Sequence, residues 1–174
     1  VFVENDGTNM TMFIPSAFCS YKAHALDKKT PLLRSMDALS KEALRVLRAM
    51  GSKNAKRVIA TMGGEQEYFL VDEEFVQRRM DLVLAGRTLF GMPSPKGQEM
   101  DDQYFGTLHQ RVGSFMNEVN TELWKLGISA KTQHNEVAPG QYEIAPIFSS
   151  VNVSTDHNHL TMETLKDVAI RHGF

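Results

Sequence analysis

Apolar side chains recur at three- and four-residue steps in three stretches of the chain, and this spacing predicts three amphipathic helices. The first is expected to begin with Ser35 as its N-cap and to end at Gly51. The second covers Tyr104 to Leu126, directly before Gly127, and the third covers about residues 155–172. Each helix would present one apolar face to a core.

Shorter apolar runs between these helices predict β-strands. They occupy residues 1–3, residues 10–21 with a break at Pro15, residues 57–72 with a break at Gly63-Gly64, and the two sides of Pro139-Gly140. The connection over about residues 73–102 is rich in glycine and proline, and its length favours a functional loop or an inter-subunit element. Because strands and helices do not alternate strictly, the sequence predicts an α+β fold in which helices flank an antiparallel sheet.

Length and composition limit the possible functions. The 174 residues are enough for one domain, and 19 Lys and Arg against 21 Asp and Glu give a net charge of −2. This balance disfavours a dedicated nucleic-acid binder, and no apolar run approaches the roughly 20 residues that cross a membrane. Cys19, the single cysteine, is expected to be a buried thiol without a disulfide partner, which is typical of a cytoplasmic protein.

A first pair of glutamates provides candidate chemistry. Glu65 and Glu67 stand two positions apart in a predicted strand, so their side chains share one face and their α-carbons are about 6–7 Å apart. Phe69 and Val71 continue that face, and we expect the two carboxylates to adjoin packed apolar surface. Like charges in such surroundings raise each other's pKa unless a cation neutralises them. Taken alone, the pair is equally typical of a solvated strand.

A second pair, Glu136 and Glu143, brackets Pro139-Gly140. If Pro139 and Gly140 form the centre of a tight turn, Glu136 lies directly opposite Glu143, with β-carbons about 5 Å apart. Proline at the first central position fits tight hairpins poorly, so a wider loop with a shifted register is the alternative. Opposed carboxylates repel each other unless a positive charge lies between them, and the four glutamates together therefore form a candidate site for divalent cations.

The candidate ligands favour a hard cation. All four are oxygen donors, which suit Mg²⁺ or Mn²⁺, and His134 beside Glu136 does not turn the set into a zinc site. Magnesium held by carboxylates commonly also binds a phosphate-bearing substrate, which favours phosphoryl transfer. The sequence contains no P-loop, no G-x-G-x-x-G and no G-x-S-x-G motif, which disfavours P-loop enzymes, Rossmann dehydrogenases and α/β-hydrolases.

Four segments of the chain resemble the glutamine synthetase family. GGEQEYFLVD is similar to the strand that supplies two metal-binding glutamates in that family, and HNEVAPGQYEIAP is similar to its second metal-binding segment. FCSYKAHALDKKTPLLRSM and DEEFVQRRMDLVLAGRTLFG resemble the long type III branch. The resemblance runs through nearly the whole chain in order and implies part of a catalytic domain.

The resemblance implies a reaction in which ATP phosphorylates the γ-carboxylate of glutamate and ammonia then displaces the phosphate to give glutamine. Glu67, Glu136 and Glu143 would hold the metal nearer to glutamate and ammonia, and Glu67 and Glu136 would also contact substrate. Glu65 would contribute to the metal on the ATP phosphates. His134 would support the substrate site, and no residue of the chain is assigned as a catalytic acid, base or nucleophile.

The resemblance also implies a homo-oligomer, which is a dodecamer of stacked rings in this family, with neither nucleic acid nor membrane as a partner. It places other parts of the site outside residues 1–174, namely the Gly-Ser-Gly-Met-His loop, the phosphate-binding arginines, a later metal-binding glutamate, the flap glutamate and most or all of the β-grasp domain. The start at Val1 without a methionine fits this. We therefore expect residues 1–174 to be one partial catalytic domain that is inactive alone.

Two other functions fit part of the pattern. A carboxylate-pair hydrolase, such as a glycosidase, would use two glutamates as acid and nucleophile. This hypothesis explains two glutamates rather than four. The chain also has a single Trp on which a sugar ring could stack. A non-catalytic relative would serve as an oligomer-building or regulatory module. Binding of Mn²⁺ or Mg²⁺ that depends on Glu67 and Glu143 together separates the ligase from both alternatives.

Overall fold

A computed structural model of the chain describes residues 1–5 and 7–174. Helices and antiparallel strand pairs are mixed along the chain, which confirms the predicted α+β class. The elements in chain order are β1 (Phe2–Asn5), β2 (Met10–Phe13), α1 (Lys29–Ala49), β3 (Thr61–Met62), β4 (Gln66–Phe69), α2 (Glu73–Gln77), α3 (Met80–Ala85), a 3-10 helix (Glu99–Phe105), α4 (Gln110–Lys125), β5 (Ala130–Asn135), β6 (Gln141–Pro146), β7 (Ser149–Ser150) and α5 (Val151–Arg171).

The chain forms two compact units. The first consists of Val1–Met62 and Phe148–Asp156, and the second consists of Gly63–Ile147 and His157–Phe174. The predicted break at Gly63-Gly64 falls at the unit boundary, so β3 pairs with β7 while β4 joins a different sheet. In the described part of the chain, no helix has the length and apolar character needed to cross a membrane. The description of residues 1–174 as one partial domain stays a prediction.

In the first unit, α1 begins earlier than predicted. Ser35 is not its N-cap, because Ser35 lies inside the helix and its hydroxyl donates to the Leu32 carbonyl. The carboxylate of Asp27 instead accepts a hydrogen bond of 2.9 Å from the Thr30 N–H and so anchors the first turn. Pro31 is tolerated there because the N–H groups of a first turn have no partner within the helix.

The segment after β2 differs from its prediction in two respects. The strand ends at Phe13, before Pro15, which has no N–H to donate to a ladder. Cys19 is exposed rather than buried, because the irregular segment around it is held by a bridge to Ala25 and by hydrogen bonds of Phe18 and contributes no side chain to the apolar core. The prediction of a buried structural thiol is therefore wrong.

The second unit contains the apolar core. The predicted apolar face of α4 is buried, and Gly127 adopts a φ of +79° directly after the helix, as a helix end requires. Helix α4 begins at Gln110 instead of Tyr104, because Glu99–Phe105 forms 3-10 turns with a kink at Met100 and Asp101, and the backbone is extended at Gly106 and His109. The buried core residues are Val112, Phe115, Met116, Val119, Leu123, Ile128, Ala130, Tyr142, Ile144, Leu165 and Val168.

The long connection after β4 carries structure of its own. It contains α2 and α3. Asp81, a buried carboxylate in α3, is hydrogen-bonded to the segment that follows this helix. Asp81 accepts hydrogen bonds from the Arg79 guanidinium at 2.6 and 3.0 Å and from the Leu89 N–H at 3.0 Å. The hydrogen bonds from Arg79 hold the pKa of Asp81 far below its usual range. The connection is thus partly ordered by one ion pair.

The sheet of the second unit positions the candidate site. It has three antiparallel strands in the order β4-β6-β5, so β6 is central. Glu143 on β6 has Glu67 as its partner on β4 and His134 as its partner on β5. One row across the sheet therefore carries two carboxylates and one imidazole on the same face.

Candidate metal centre

The β5–β6 hairpin has a wider loop than a Pro139-Gly140 turn would give. His134 pairs with Glu143 and Asn135 with Tyr142, and the Glu136 N–H donates to the Gln141 carbonyl at 2.9 Å. The prediction that Glu136 lies directly opposite Glu143 is therefore wrong by two residues. Proline at the first central position of a two-residue turn fits the twist of a hairpin poorly, and four residues, 137–140, make the connection instead.

The actual register still brings two of the predicted ligands, Glu136 and Glu143, together with His134. His134, Glu136 and Glu143 each offer a ligand atom, and these atoms lie within 4.8 Å of one another. His134 Nε2 is 2.8 Å from a Glu143 oxygen, and His134 Nδ1 is 3.6 Å from a Glu136 oxygen. A shift of two positions keeps each side chain on its original face, which is why the cluster survives the change of register.

The two hairpin carboxylates are electrostatically unfavourable by themselves. Glu136 and Glu143 are 6% and 7% exposed, so water solvates neither charge well. Burial raises the pKa of Glu143, and the hydrogen bond and negative charge of Glu136 raise it further, whereas His134 acts in the opposite direction. Concentrated negative charge with little solvation is the condition that a bound cation would relieve.

Glu67 borders this cluster from β4. It is the register partner of Glu143, and its own side chain is exposed. Gln141 Nε2 donates a hydrogen bond of 2.7 Å to Glu67 Oε2. Glu67 is therefore held beside the buried pair rather than within it.

Glu65 lies just before β4 and is also exposed. Its charge contributes to the raised pKa of Glu143, so its carboxylate acts on the same cluster. The expectation that Glu65 and Glu67 adjoin packed apolar surface is wrong, because Phe69 on their face is 61% exposed. The opposite face of β4 meets the core, and Tyr68 on that face packs against the buried apolar residues.

Sequence reasoning missed Tyr104 as a neighbour of this site. A hydrogen bond to the Glu136 carboxylate raises the pKa of Tyr104, and the charge of Glu67 adds to the effect. The 3-10 helix that carries Tyr104 is held next to β5, where Asn135 Nδ2 donates to the Gly106 carbonyl at 2.6 Å. Tyr104 stands about thirty residues from Glu136 in the sequence, and no local pattern links the two.

The residues present fit a hard divalent cation. Glu136 and Glu143 offer buried carboxylate oxygens, Glu67 and Glu65 add negative charge nearby, and oxygen donors of this kind suit Mg²⁺ or Mn²⁺. His134 adds one nitrogen, which Mn²⁺ accepts more readily than Mg²⁺. The set lacks the thiolates of a structural zinc site.

A cleft of about 570 Å³ lies elsewhere in the second unit and contains none of the candidate ligands. It is lined by Tyr68 and Leu70, which alternate with Glu67 along the chain, and by apolar residues of α4 and α5 such as Phe115 and Leu165. Phe69, on the carboxylate side of β4, also lines the cleft, but the candidate ligands themselves do not.

Fold and site together define an α+β protein whose antiparallel sheet presents a cluster of carboxylates suited to a divalent cation. The family model described as glutamine synthetase, catalytic domain, matches residues 39–174, and the model described as glutamine synthetase type III N terminal matches residues 1–35. The chain belongs to the glutamine synthetase family. The second match confirms the predicted resemblance to the type III branch.

Individual relatives agree with this assignment. The chain is 53% identical over 164 residues to a glutamine synthetase of Butyrivibrio fibrisolvens and 49% identical over 172 residues to a type-3 glutamine synthetase of Dictyostelium discoideum. These alignments cover 94% and 99% of the chain but only 23% of each relative. A cryo-EM structure of Plasmodium falciparum glutamine synthetase matches 99% of the chain and 34% of its own length, at a TM-score of 0.57 and 16% identity, which supports the fold.

Proposed function

We propose that the full-length protein containing this chain ligates ammonia to glutamate, using ATP and passing through a γ-glutamyl phosphate. The observation that carries the proposal is the buried pair Glu136 and Glu143, with Glu67 in register beside it, in a chain of this family. Phosphoryl transfer to a carboxylate brings two negative groups together, so it requires positive charge at the point of transfer.

In this proposal Glu67, Glu136 and Glu143 hold one Mg²⁺ or Mn²⁺, and Glu65 contributes to a second one on the ATP phosphates. The bound cations would neutralise the attacking carboxylate and the transferring phosphoryl group. Glu136 and Glu143 contribute fixed, poorly solvated oxygens, whose ligand strength is high because water competes little for them. Glu67 and Glu136 also border the glutamate and ammonia positions.

His134 is proposed as a support of the substrate side. Its Nδ1 lies 2.6 Å from the Asn135 carbonyl and its Nε2 lies 2.8 Å from Glu143, so the ring is fixed at both nitrogens. A ring held in this way orients the Glu143 carboxylate and limits where a substrate oxygen can approach.

Several further properties belong to the longer protein. The chain spans 23% of the length of the relatives, so the phosphate-binding arginines and remaining metal ligands are proposed to lie outside residues 1–174. We propose a homo-oligomer in the cytoplasm, with glutamate, ammonia and ATP as its small-molecule partners. Support comes from the family assignment and from a single unpaired cysteine.

The test is glutamine formation by the full-length protein from ATP, glutamate and ammonium with Mg²⁺ or Mn²⁺. Replacement of a buried ligand, Glu136→Gln, is expected to lower kcat/KM by on the order of 10²-fold or more. The matched control is Glu42→Gln, which removes an exposed carboxylate from α1 and should leave turnover unchanged. Wild-type protein that binds Mn²⁺ but forms no glutamine would instead indicate a non-catalytic relative.

A further inference from the structure

We propose that Gln141 is a positioning residue for Glu67, and that it keeps this exposed carboxylate in place for the cation shared with Glu136 and Glu143. The inference rests on the proposed function, because it assumes that Glu67 serves as a metal ligand. It assigns a role to an uncharged side chain that lies beside the candidate ligands and is not one of them.

The side-chain amide of Gln141 is bonded at both ends. Nε2 donates to Glu67 Oε2 at 2.7 Å, and Oε1 accepts the Ala138 N–H at 3.2 Å. Because the amide oxygen is occupied by an N–H donor, the nitrogen end must face the Glu67 carboxylate. A glutamate at this position would have no donor for Glu67, so the contact requires an amide.

The backbone of Gln141 reaches a second candidate ligand. Its carbonyl accepts the Glu136 N–H at 2.9 Å, and its own N–H donates to the Ala138 carbonyl at 3.1 Å. One residue therefore connects the carboxylate of Glu67 on β4, the loop at Ala138 and the backbone of Glu136. Through these contacts the position of Glu67 becomes tied to the geometry of the hairpin that carries Glu136 and Glu143.

Glu67 gains a fixed orientation from this contact. Its side chain is exposed, and its register partner across the strand pair is another glutamate, Glu143. Directly opposed like charges repel, so a free Glu67 carboxylate would turn toward solvent before a cation arrives. A ligand that is already oriented loses less freedom on binding, and this raises the affinity of the site.

The test is a double-mutant cycle on Mn²⁺ affinity, measured by electron paramagnetic resonance with the metal-stripped full-length protein. Gln141→Met keeps the approximate length of the side chain and removes both amide contacts. It is expected to weaken Mn²⁺ binding by about 10-fold or more, the usual effect of removing a partner of a metal ligand. In a Glu67→Gln background the same change is expected to cost less than about 2-fold, because the anionic ligand that Gln141 positions has already been removed.

The cycle separates positioning from a general effect on the hairpin. A role through Ala138 alone would persist in the Glu67→Gln background, and equal losses in both backgrounds would overturn the inference. Gln66→Met is the matched control, because Gln66 Nε2 donates to the backbone carbonyl of Glu67 and not to its carboxylate. This control is expected to leave Mn²⁺ affinity unchanged.

Two further outcomes are distinguishable. If Glu67→Gln by itself leaves Mn²⁺ affinity unchanged, Glu67 is not a ligand of the proposed metal site, and the inference about Gln141 fails with that assignment. If Glu67→Gln weakens binding but Gln141→Met does not, only the inference about Gln141 is overturned. Should Gln141→Met not fold, Gln141→Asn replaces it, since the shorter amide cannot span Glu67 and Ala138 together and should give the same loss.

Discussion

His134 lies directly opposite Glu143 across the β5–β6 pair, and its Nε2 is 2.8 Å from a carboxylate oxygen of Glu143. A turn centred on Pro139-Gly140 would have put Glu136 in that position. The wider loop moves the pairing by two residues, and a shift by an even number leaves each side chain on its own face. The imidazole therefore takes the position opposite Glu143, and Glu136 reaches the same cluster from two residues further along the chain.

Loss of Glu143 should abolish most of the proposed ligase activity. In the full-length protein, Glu143→Ala removes one anionic ligand, and we expect kcat/KM for glutamine formation to fall by on the order of 10²–10³. The fold should remain, because the change relieves repulsion with Glu136 in the metal-free sheet. Activity assays together with thermal melting measure both effects. Turnover at the wild-type level at ordinary Mg²⁺ would contradict the assigned role.

Glu143 should also make the metal-free protein less stable as the pH rises. Its raised pKa means that the folded chain binds the proton more tightly than the unfolded chain. The protonated Glu143 carboxyl therefore adds its full contribution to the stability of the folded chain below the ordinary glutamate pKa near 4.5. This contribution is lost as the pH rises through the raised pKa of the folded state.

Melting curves with and without Mg²⁺ measure this effect. Between about pH 5 and about pH 8, the melting temperature of the metal-free wild type should fall further than that of Glu143→Gln, because the glutamine side chain cannot ionise. Saturating Mg²⁺ should stabilise wild type more than the variant at the upper end, since binding to the folded state alone adds stability. Identical pH dependence in the two proteins would rule out Glu143 as the titrating group.

The ion pair of Asp81 should hold the segment after α3. Asp81→Asn keeps the shape of the side chain but weakens its bonds to Arg79 and to the Leu89 N–H. Hydrogen exchange at the Leu89 amide is expected to accelerate by roughly tenfold, since local opening becomes easier. Asp37→Asn, at an exposed carboxylate of α1, is the control that should leave this amide unaffected. No change at Leu89 would count against the assigned role.

The sequence predicted the parts of the fold that depend on local spacing. Val112, Phe115 and Val119 recur at helical steps and form the buried face of α4, and Gly127 ends the segment in the left-handed conformation that glycine favours. The start of α1 could not be predicted in the same way, because Asp27 anchors its first turn from outside the apolar pattern. Ser35 is a residue type typical of an N-cap, but it lies inside α1 and its hydroxyl donates to the Leu32 carbonyl.

The sequence predicted which residues belong to the candidate site, but it did not predict the contacts between them. Strand periodicity favoured one face for Glu136 and Glu143, whereas the register depended on a loop whose length the sequence left open. The contacts of Tyr104 with Glu136 and of Gln141 with Glu67 join separate elements, and tertiary packing alone brings them together. The exposed side chain of Phe69 likewise follows from which face of β4 meets the core.

The 174-residue chain by itself should form no detectable glutamine. One proposed metal position keeps Glu67, Glu136 and Glu143, but the other keeps only Glu65 within the chain. A lone carboxylate holds Mg²⁺ weakly, because the ion gives up its waters reluctantly. The assay uses the purified chain with ATP, glutamate, ammonium and Mg²⁺ or Mn²⁺. Turnover within about tenfold of the full-length protein would refute the argument, since loss of even one transition-state contact commonly costs 10²–10³ in rate.

The most direct test of the metal centre is a structure of the full-length protein with Mn²⁺, in which anomalous scattering locates the ion. We predict one Mn²⁺ bound by carboxylate oxygens of Glu67, Glu136 and Glu143, at distances slightly longer than the roughly 2.0–2.1 Å that Mg²⁺ adopts. Gln141 should still donate to Glu67 in that structure. A Mn²⁺ position that contacts neither Glu136 nor Glu143, at a concentration that supports activity, would contradict the account.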